Sequence, residues 1–295
     1  MGFIKLSLAI AFPWLALAQG PELFPTPDAA AKALIQAAQQ GSMVEMVAIF
    51  GQSGQKMLSS GNAGQDESEL RRFVQAAQLK YQLEPDSTNP QRVYLAVGGE
   101  DWPFPAPIVQ KPGGWMFDPS QGAAEIKTRR IGADEMDAIE ICAGFVTAEQ
   151  DYASQPRDQH GIQEYAAQLM SSPGQHDGLY WEGAAQPLIP RGMAQAEFNG
   201  ANPAPKPYHG YYFRVLTSQG PDADGGPYEY AVNGMMFGGF GLVAWPAKYG
   251  VTGIHTFIVN QAGNVYEKDL GDRTSTITPA MTAYNPDVSW MHVED

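Results

Sequence analysis

The five histidines, His160, His176, His209, His255 and His292, lie too far apart in the chain for the short spacings at which imidazoles share a metal ion. The single cysteine, Cys142, sits in an apolar helical pattern, where a buried and unreactive thiol is expected. In GPDADGG the carboxylates of Asp222 and Asp224 could donate oxygens to Ca²⁺, but the remaining ligands and a closing Glu at the required spacing are missing. No metal is therefore expected. The carboxylate pairs Asp134-Glu135 and Glu294-Asp295 read as a helix N-terminus and a tail. The chain has no G-x-S-x-G, no H-E-x-x-H, no Walker loop and no dinucleotide fingerprint. No catalytic residue and no cofactor is assigned from the sequence.

The remaining chemical signal is aromatic. Tyr180, Trp181, Tyr211, Tyr212, Trp245 and Tyr249 concentrate in the second half, and Trp102 lies in a proline-rich run, EDWPFPAPIV. Tyr and Trp are enriched at binding interfaces, so these seven form a candidate stacking surface for glycan or peptide. The same density would also serve as the core of a sheet that has no disulfide to hold it.

Two blocks of elements must position these side chains. Thr26 caps a helix with Pro27 at its first position; a break at Gly41 starts a second helix, and DESELRRFVQAAQLKYQL supplies a third. RVYLAV, PFPAPIVQK and GWMFD then read as short strands between glycine turns. This gives a first α+β domain over 24–118, followed by a polar connector from Asp118 to Arg130. The second domain, 125–295, opens with a long helix. Met136, Ile139, Ala143 and Val146 make one apolar stripe on it, beside a second stripe of Ile141, Phe145, Ala148 and Tyr152. IQEYAAQLMSS reads as a further short helix, and 183–207, rich in Gly, Ala and Pro, as an exposed loop or insertion. GYYFRVLT, YEYAVNG, FGLVAWP, HTFIVN and VYEKDL make an antiparallel meander. In VNQAGNV, Gly263 supplies the left-handed residue of a hairpin turn and Asn260 bonds the turn backbone.

The N-terminus has Lys5, an apolar run from Leu6 to Leu17 and Ala16-Leu17-Ala18, the pattern of a secretion signal cleaved after Ala18. The run falls short of the ~20 apolar residues a membrane span needs, and Pro13 interrupts it. A periplasmic or secreted protein with no membrane span in its mature chain is expected. The net charge of −14 disfavours nucleic acid, whose phosphates it would repel.

The stretches FPTPDAAAKALIQAAQQGS, DWPFPAPIVQKPGGWMFD, RRIGADEMDAIEICAGFVTAEQDYA, YHGYYFRVLTSQGP, GGFGLVAWPAKYGVTGIHTFIVNQAGNVYEKDLG and AMTAYNPDVSW cover nearly all of the mature chain. Through them the sequence resembles the exported bacterial family called domain of unknown function 2950 (DUF2950), a resemblance that implies no activity. Residues 130–270 are also similar to the globular heads of type IV pilin-like proteins: an amphipathic helix, a Gly-Leu turn at DGLYW, then a meander whose last hairpin carries Phe257, Asn260, Gly263 and Val265. Pilins place an apolar half-helix before the amphipathic one, whereas this chain has EIKTRRIG there. That resemblance implies a pilin-like head used as a separate module. The expected function is an exported, non-catalytic binding or assembly protein of the cell envelope, its partner an envelope protein or glycan. The alternative is an envelope-polymer hydrolase using carboxylates that spacing does not reveal.

Overall fold

A computed structural model of the chain describes residues 20–59, 63–157, 161–199 and 204–294. The expected signal peptide, 1–18, and His160 lie outside the described residues. The chain divides into two compact units between Ile126 and Lys127, and the fold class is α+β.

In the first unit three helices, α1 (Pro27–Gln39), α2 (Met43–Gly54) and α3 (Ala63–Leu79), precede an antiparallel sheet. The Thr26 hydroxyl accepts the Ala29 N–H at 3.1 Å and the Ser42 hydroxyl accepts that of Glu45 at 3.3 Å, so each of the first two helices starts on a side-chain cap. The strands are β1 (Tyr81–Pro85), β2 (Arg92–Val97), β3 (Trp102–Pro103), β4 (Ile108–Lys111) and β5 (Gly114–Phe117). They run in the order β1-β2-β4-β5, with β3 a short addition to β2. Ala30, Leu34, Ile49 and Phe50 on the helices meet Leu95, Val97, Ile108 and Phe117 on the sheet. Phe104 of the proline-rich run packs among Phe50, Phe73 and Phe117, while its neighbour Trp102 stays 46% exposed.

The long helix, α4, spans Pro119–Ala153. The expected connector over 118–130 is thus helical from Pro119 onward. The Asp118 carboxylate accepts the N–H groups of Ser120 and Gln121 at 3.0 and 3.2 Å, and proline occupies the first helical position.

In the second unit β6 (Gln168–Met170), β7 (Gly178–Tyr180) and α5 (Arg191–Gln195) lead to β8 (Tyr211–Leu216). Four two-residue strands follow: β9 (Ser218–Gln219), β10 (Tyr228–Glu229), β11 (Ala231–Val232) and β12 (Met235–Met236). After them come β13 (Gly241–Pro246), β14 (His255–Asn260), β15 (Tyr266–Asp269), β16 (Ala283–Tyr284) and β17 (Met291–His292). The main sheet is antiparallel in the order β17-β15-β14-β13-β8. YEYAVNG, expected in the meander, instead pairs only through β10 with β9 and β11 with β12. The hairpin between β14 and β15 is as expected: Gly263 has φ 82°, its N–H reaches the Asn260 carbonyl at 2.9 Å, and the Asn260 side chain accepts the Ala262 N–H at 3.1 Å.

Both faces of this sheet are covered, which is why all six residues of β13 are buried. Phe213, Leu242, Ala244, Phe257 and Val259 pack with Ala138, Cys142, Phe145 and Tyr152 of α4. On the other face Leu216, Val243, Trp245 and Ile258 pack with Tyr284, Phe198 and Trp290. Of the two expected stripes of α4, Ile139, Ile141, Phe145, Val146, Ala148 and Tyr152 do pack on the core, but Met136 is 66% exposed and Ala143 is exposed, and Ala138 and Cys142 are fully buried in their place. Small side chains at 138 and 142 let the helix approach the sheet closely, and a count of large apolar residues places the stripe a fraction of a turn away.

Two further expectations change. IQEYAAQLMSS is not a helix; it enters β6, because its N–H groups find carboxylate acceptors elsewhere in the fold. The 183–207 stretch is not simply an exposed loop, since it forms α5 and buries Ile189, Met193, Ala194, Ala196 and Glu197.

Candidate binding groove beside the long helix

Helix α4 is fixed to the second unit by its carboxylates. Near the start of its sheet-facing part, one oxygen of Glu135 accepts the N–H groups of Ile254 and His255 at 2.7 and 2.9 Å, tying the helix to the first residue of β14. Toward its end Glu149 accepts the Ala166 N–H at 2.8 Å, and the Tyr152 hydroxyl donates to the His176 carbonyl at 2.6 Å. Glu197, just beyond α5, accepts from Leu169 and Met170 of β6 at 2.9 and 3.1 Å. Glu149 and Glu197 are 0% and 1% exposed. Desolvation holds Glu149 well above the usual carboxylate range, and the neighbouring charge of Glu197 pushes the same way. Desolvation also pushes Glu197 up to about 7, against the pull of its two N–H donors and of Arg214. Sealed from solvent and bonded to backbone, both acids do structural work: they take the N–H groups that a helix over 162–172 would have bonded internally.

On the flank of the helix so positioned lies a groove of about 350 Å³, within the ~300–1,000 Å³ range of small-ligand sites. One wall is α4, through Asp137, Glu140, Ile141, Gly144 and Phe145. These positions are spaced i, i+3, i+4, i+7 and i+8, one face of a helix. The opposite wall is Leu188, Ile189, Pro190 and Met193, and Tyr208 with His209 completes it. Most of this lining is apolar, with Asp137, Glu140 and His209 as its polar groups.

His209 is held there by its backbone. Tyr208 and Tyr211 exchange N–H···O bonds of 2.9 and 3.0 Å across a two-residue turn in which His209 has φ 47° and Gly210 φ 76°. Two successive left-handed residues make the tight hairpin turn that matches strand twist, and histidine is an uncommon occupant of its first position. Both the Ala247 N–H (2.9 Å) and the Thr252 hydroxyl (2.8 Å) bond the Gly210 carbonyl, so the turn is fixed from outside. The turn sets the imidazole edge-on to Tyr208, ring centroids 4.3 Å apart, with Nδ1 hydrogen-bonded to Asp137 at 2.5 Å. Nearby, burial raises the Asp134 carboxyl above its ordinary value, as does the charge of Asp137, while Arg130 and His209 oppose the shift.

The seven aromatics expected to form a surface do not share one. Tyr211 and Trp245 are 0% and 2% exposed and belong to the two cores flanking the sheet. Tyr212 tilts over Trp245 at 6.1 Å. Tyr180 is half-buried against the helix core; Trp181 lies tilted against His176, ring centroids 4.8 Å apart, and the Tyr249 hydroxyl donates to Asp269 at 3.2 Å. Trp102 belongs to the first unit, where it borders a shallow depression with Leu79 and Val97. Asp222 accepts from the Asn285 amide at 2.8 Å, and among the described residues no cluster of three or more His, Cys, Asp or Glu could hold a metal. Burial pushes the Cys142 thiol up to about 12.

The groove residues were not singled out from the sequence, though two signals for them are present. Tyr-His-Gly-Tyr places a turn dipeptide between aromatic strand residues, and Gly144 interrupts an otherwise helix-favouring run.

Residues 21–293 match the family described as "Protein of unknown function (DUF2950)". The chain belongs to that family. The matched range takes in most of both units and the positions that line the groove. No curated protein and no solved structure matches the chain. Among the described residues no helix is long and apolar enough to cross a membrane.

Proposed function

We propose that this protein is an exported, non-catalytic binding protein of the cell envelope, and that it holds an apolar part of its partner in the groove beside α4. The N-terminal secretion pattern supports export to the periplasm or beyond. A long helix lying along an antiparallel sheet is the arrangement that the pilin-like resemblance calls for, and it agrees with use of the second unit as a binding or assembly module.

The observation that carries the reading is Gly144. A glycine inside a helix costs about 0.5–1 kcal/mol relative to alanine. Apart from its chain neighbours and the backbone of its own helix, a Cβ placed on Gly144 would meet no described atom within 4 Å, so packing against other elements does not require the glycine. What it leaves is room in the groove, next to Ile141 and Phe145. The two most perturbed carboxyls, Glu149 and Glu197, each accept backbone N–H groups and neither lines the groove, which favours the binding reading over the hydrolase alternative.

The test uses a neutral apolar dye. Nile red should brighten with the wild-type protein in a saturable, one-to-one manner, and Gly144→Trp, which fills the groove, should abolish the signal while leaving the circular dichroism and melting temperature intact. Equal dye binding by both proteins would place the apolar site elsewhere.

A further inference from the structure

The groove is polarised along α4. Asp137 and Glu140 stand at one end, and Ile141, Gly144 and Phe145 follow within the next two turns. At 1.5 Å per residue the distance from 137 to 145 is about 12 Å, the span of three to four residues of extended peptide. The second unit carries 20 of the chain's 32 acidic side chains and 10 of its 18 basic ones, so the unit that holds the groove is net negative. Beside the groove, Arg191 at the start of α5 is already paired with Glu182 at 2.9 Å.

We infer that the occupant is a short protein segment in which one or two Lys or Arg residues adjoin two or three apolar residues, the cations meeting Asp137 and Glu140 and the apolar side chains lying over Gly144 against the part-exposed Ile141 and Leu188. This deepens the groove-binding reading and rests on it. Charge complementarity selects the occupant. Phosphate-bearing lipid headgroups would face two carboxylates and a net negative unit. A glycan would bury hydroxyls against an apolar floor that offers them few partners. A basic-apolar peptide satisfies both ends. His209 holds the Asp137 carboxylate through its Nδ1 and is a positioning residue in this account.

Calorimetric titration with three capped pentapeptides tests the inference: Lys-Lys-Leu-Phe-Leu, Glu-Glu-Leu-Phe-Leu and Lys-Lys-Ser-Ser-Ser. The first should bind at least about tenfold more tightly than either other, a difference of about 1.4 kcal/mol. Its affinity should fall about fivefold or more in Asp137→Asn/Glu140→Gln, as loss of facing charges predicts, and decline with added salt. Gly144→Trp should abolish it. Equal binding of the Lys and Glu peptides would overturn the cationic inference while the Nile red result left the groove reading standing. Peptide binding unaffected by Gly144→Trp would overturn the inference by placing the peptide elsewhere. Phosphatidylglycerol vesicles held by wild type but not by Gly144→Trp, with no peptide bound, would show the occupant to be lipid and overturn it as well.

Discussion

Glu149 turns one carboxylate oxygen onto the N–H of Ala166, 2.8 Å away, and its other oxygen makes no hydrogen bond among the described residues although the side chain is fully buried. An ionised carboxylate is costly in that position, and the same fold also buries Glu197. The two acids make stability depend on pH in an unusual direction.

Glu197 titrates from an ordinary value of 4.5 to about 7 in the folded chain, and Glu149 is shifted the same way. A raised folded-state value means that the folded protein binds the proton more tightly than the unfolded chain does. The stabilisation is fully present below about 4.5 and is lost as pH rises through about 7. The urea midpoint should therefore fall between pH 5 and pH 8, and Glu197→Gln should flatten that dependence while lowering stability at both ends, because one amide oxygen replaces two acceptors. A midpoint that rises over the same interval in wild type would contradict the assignment.

The face of α4 gives a second prediction. Met136→Asp, at a position 66% exposed, should change stability by no more than about 0.5 kcal/mol. Ala138→Asp, at 0% exposure two residues away, should unfold the second unit, because an unpaired buried charge costs several kcal/mol against a total of ~5–15 kcal/mol. Thermal melts of the two variants decide the matter, and equal effects would place the helix in another rotation.

At the hairpin, Gly263 has φ 82° and no described neighbour within 4 Å of an added Cβ, so only backbone conformation restricts it. Gly263→Val should cost about 1–2 kcal/mol, and Gly263→Asn distinctly less, since Asn tolerates the left-handed region. Denaturant unfolding that ranks the two variants the other way would contradict the turn assignment.

Much of this architecture is legible in the sequence, and two of the three exceptions share a cause. HTFIVN and GLVAWP were readable as strands because β-branched and aromatic residues fill them, and the α1 start was readable from Thr26 and Pro27. The start of α4 reads as a connector because EIKTRR is charged, although Asp118-Pro119 is the same kind of cap signal as Thr26-Pro27. Residues 162–172 have helical periodicity but follow Glu149 and Glu197, whose carboxylates lie 17 and 27 or more positions away in sequence from the N–H groups they accept. The groove was hidden for the same reason. Its walls come from 137–145, 188–193 and 208–209, and nothing local in any one of them announces the other two.

Export can be checked directly. If Ala16-Leu17-Ala18 is a signal-peptidase site, N-terminal sequencing of protein from the envelope fraction should begin at Gln19. A chain recovered at full length from membranes would contradict it.

The most direct measurement of the central claim is a methyl NMR titration of the wild-type protein, labelled at Ile, Leu and Met, with the Lys-Lys-Leu-Phe-Leu peptide. The account predicts saturable shifts of Ile141, Leu188, Ile189 and Met193, which line the groove, while Leu242 and Ile258 in the sheet and Leu79 and Ile108 in the first unit stay in place. Shifts centred on Leu79, or spread evenly over the labelled methyls, would show that the groove is not the binding site.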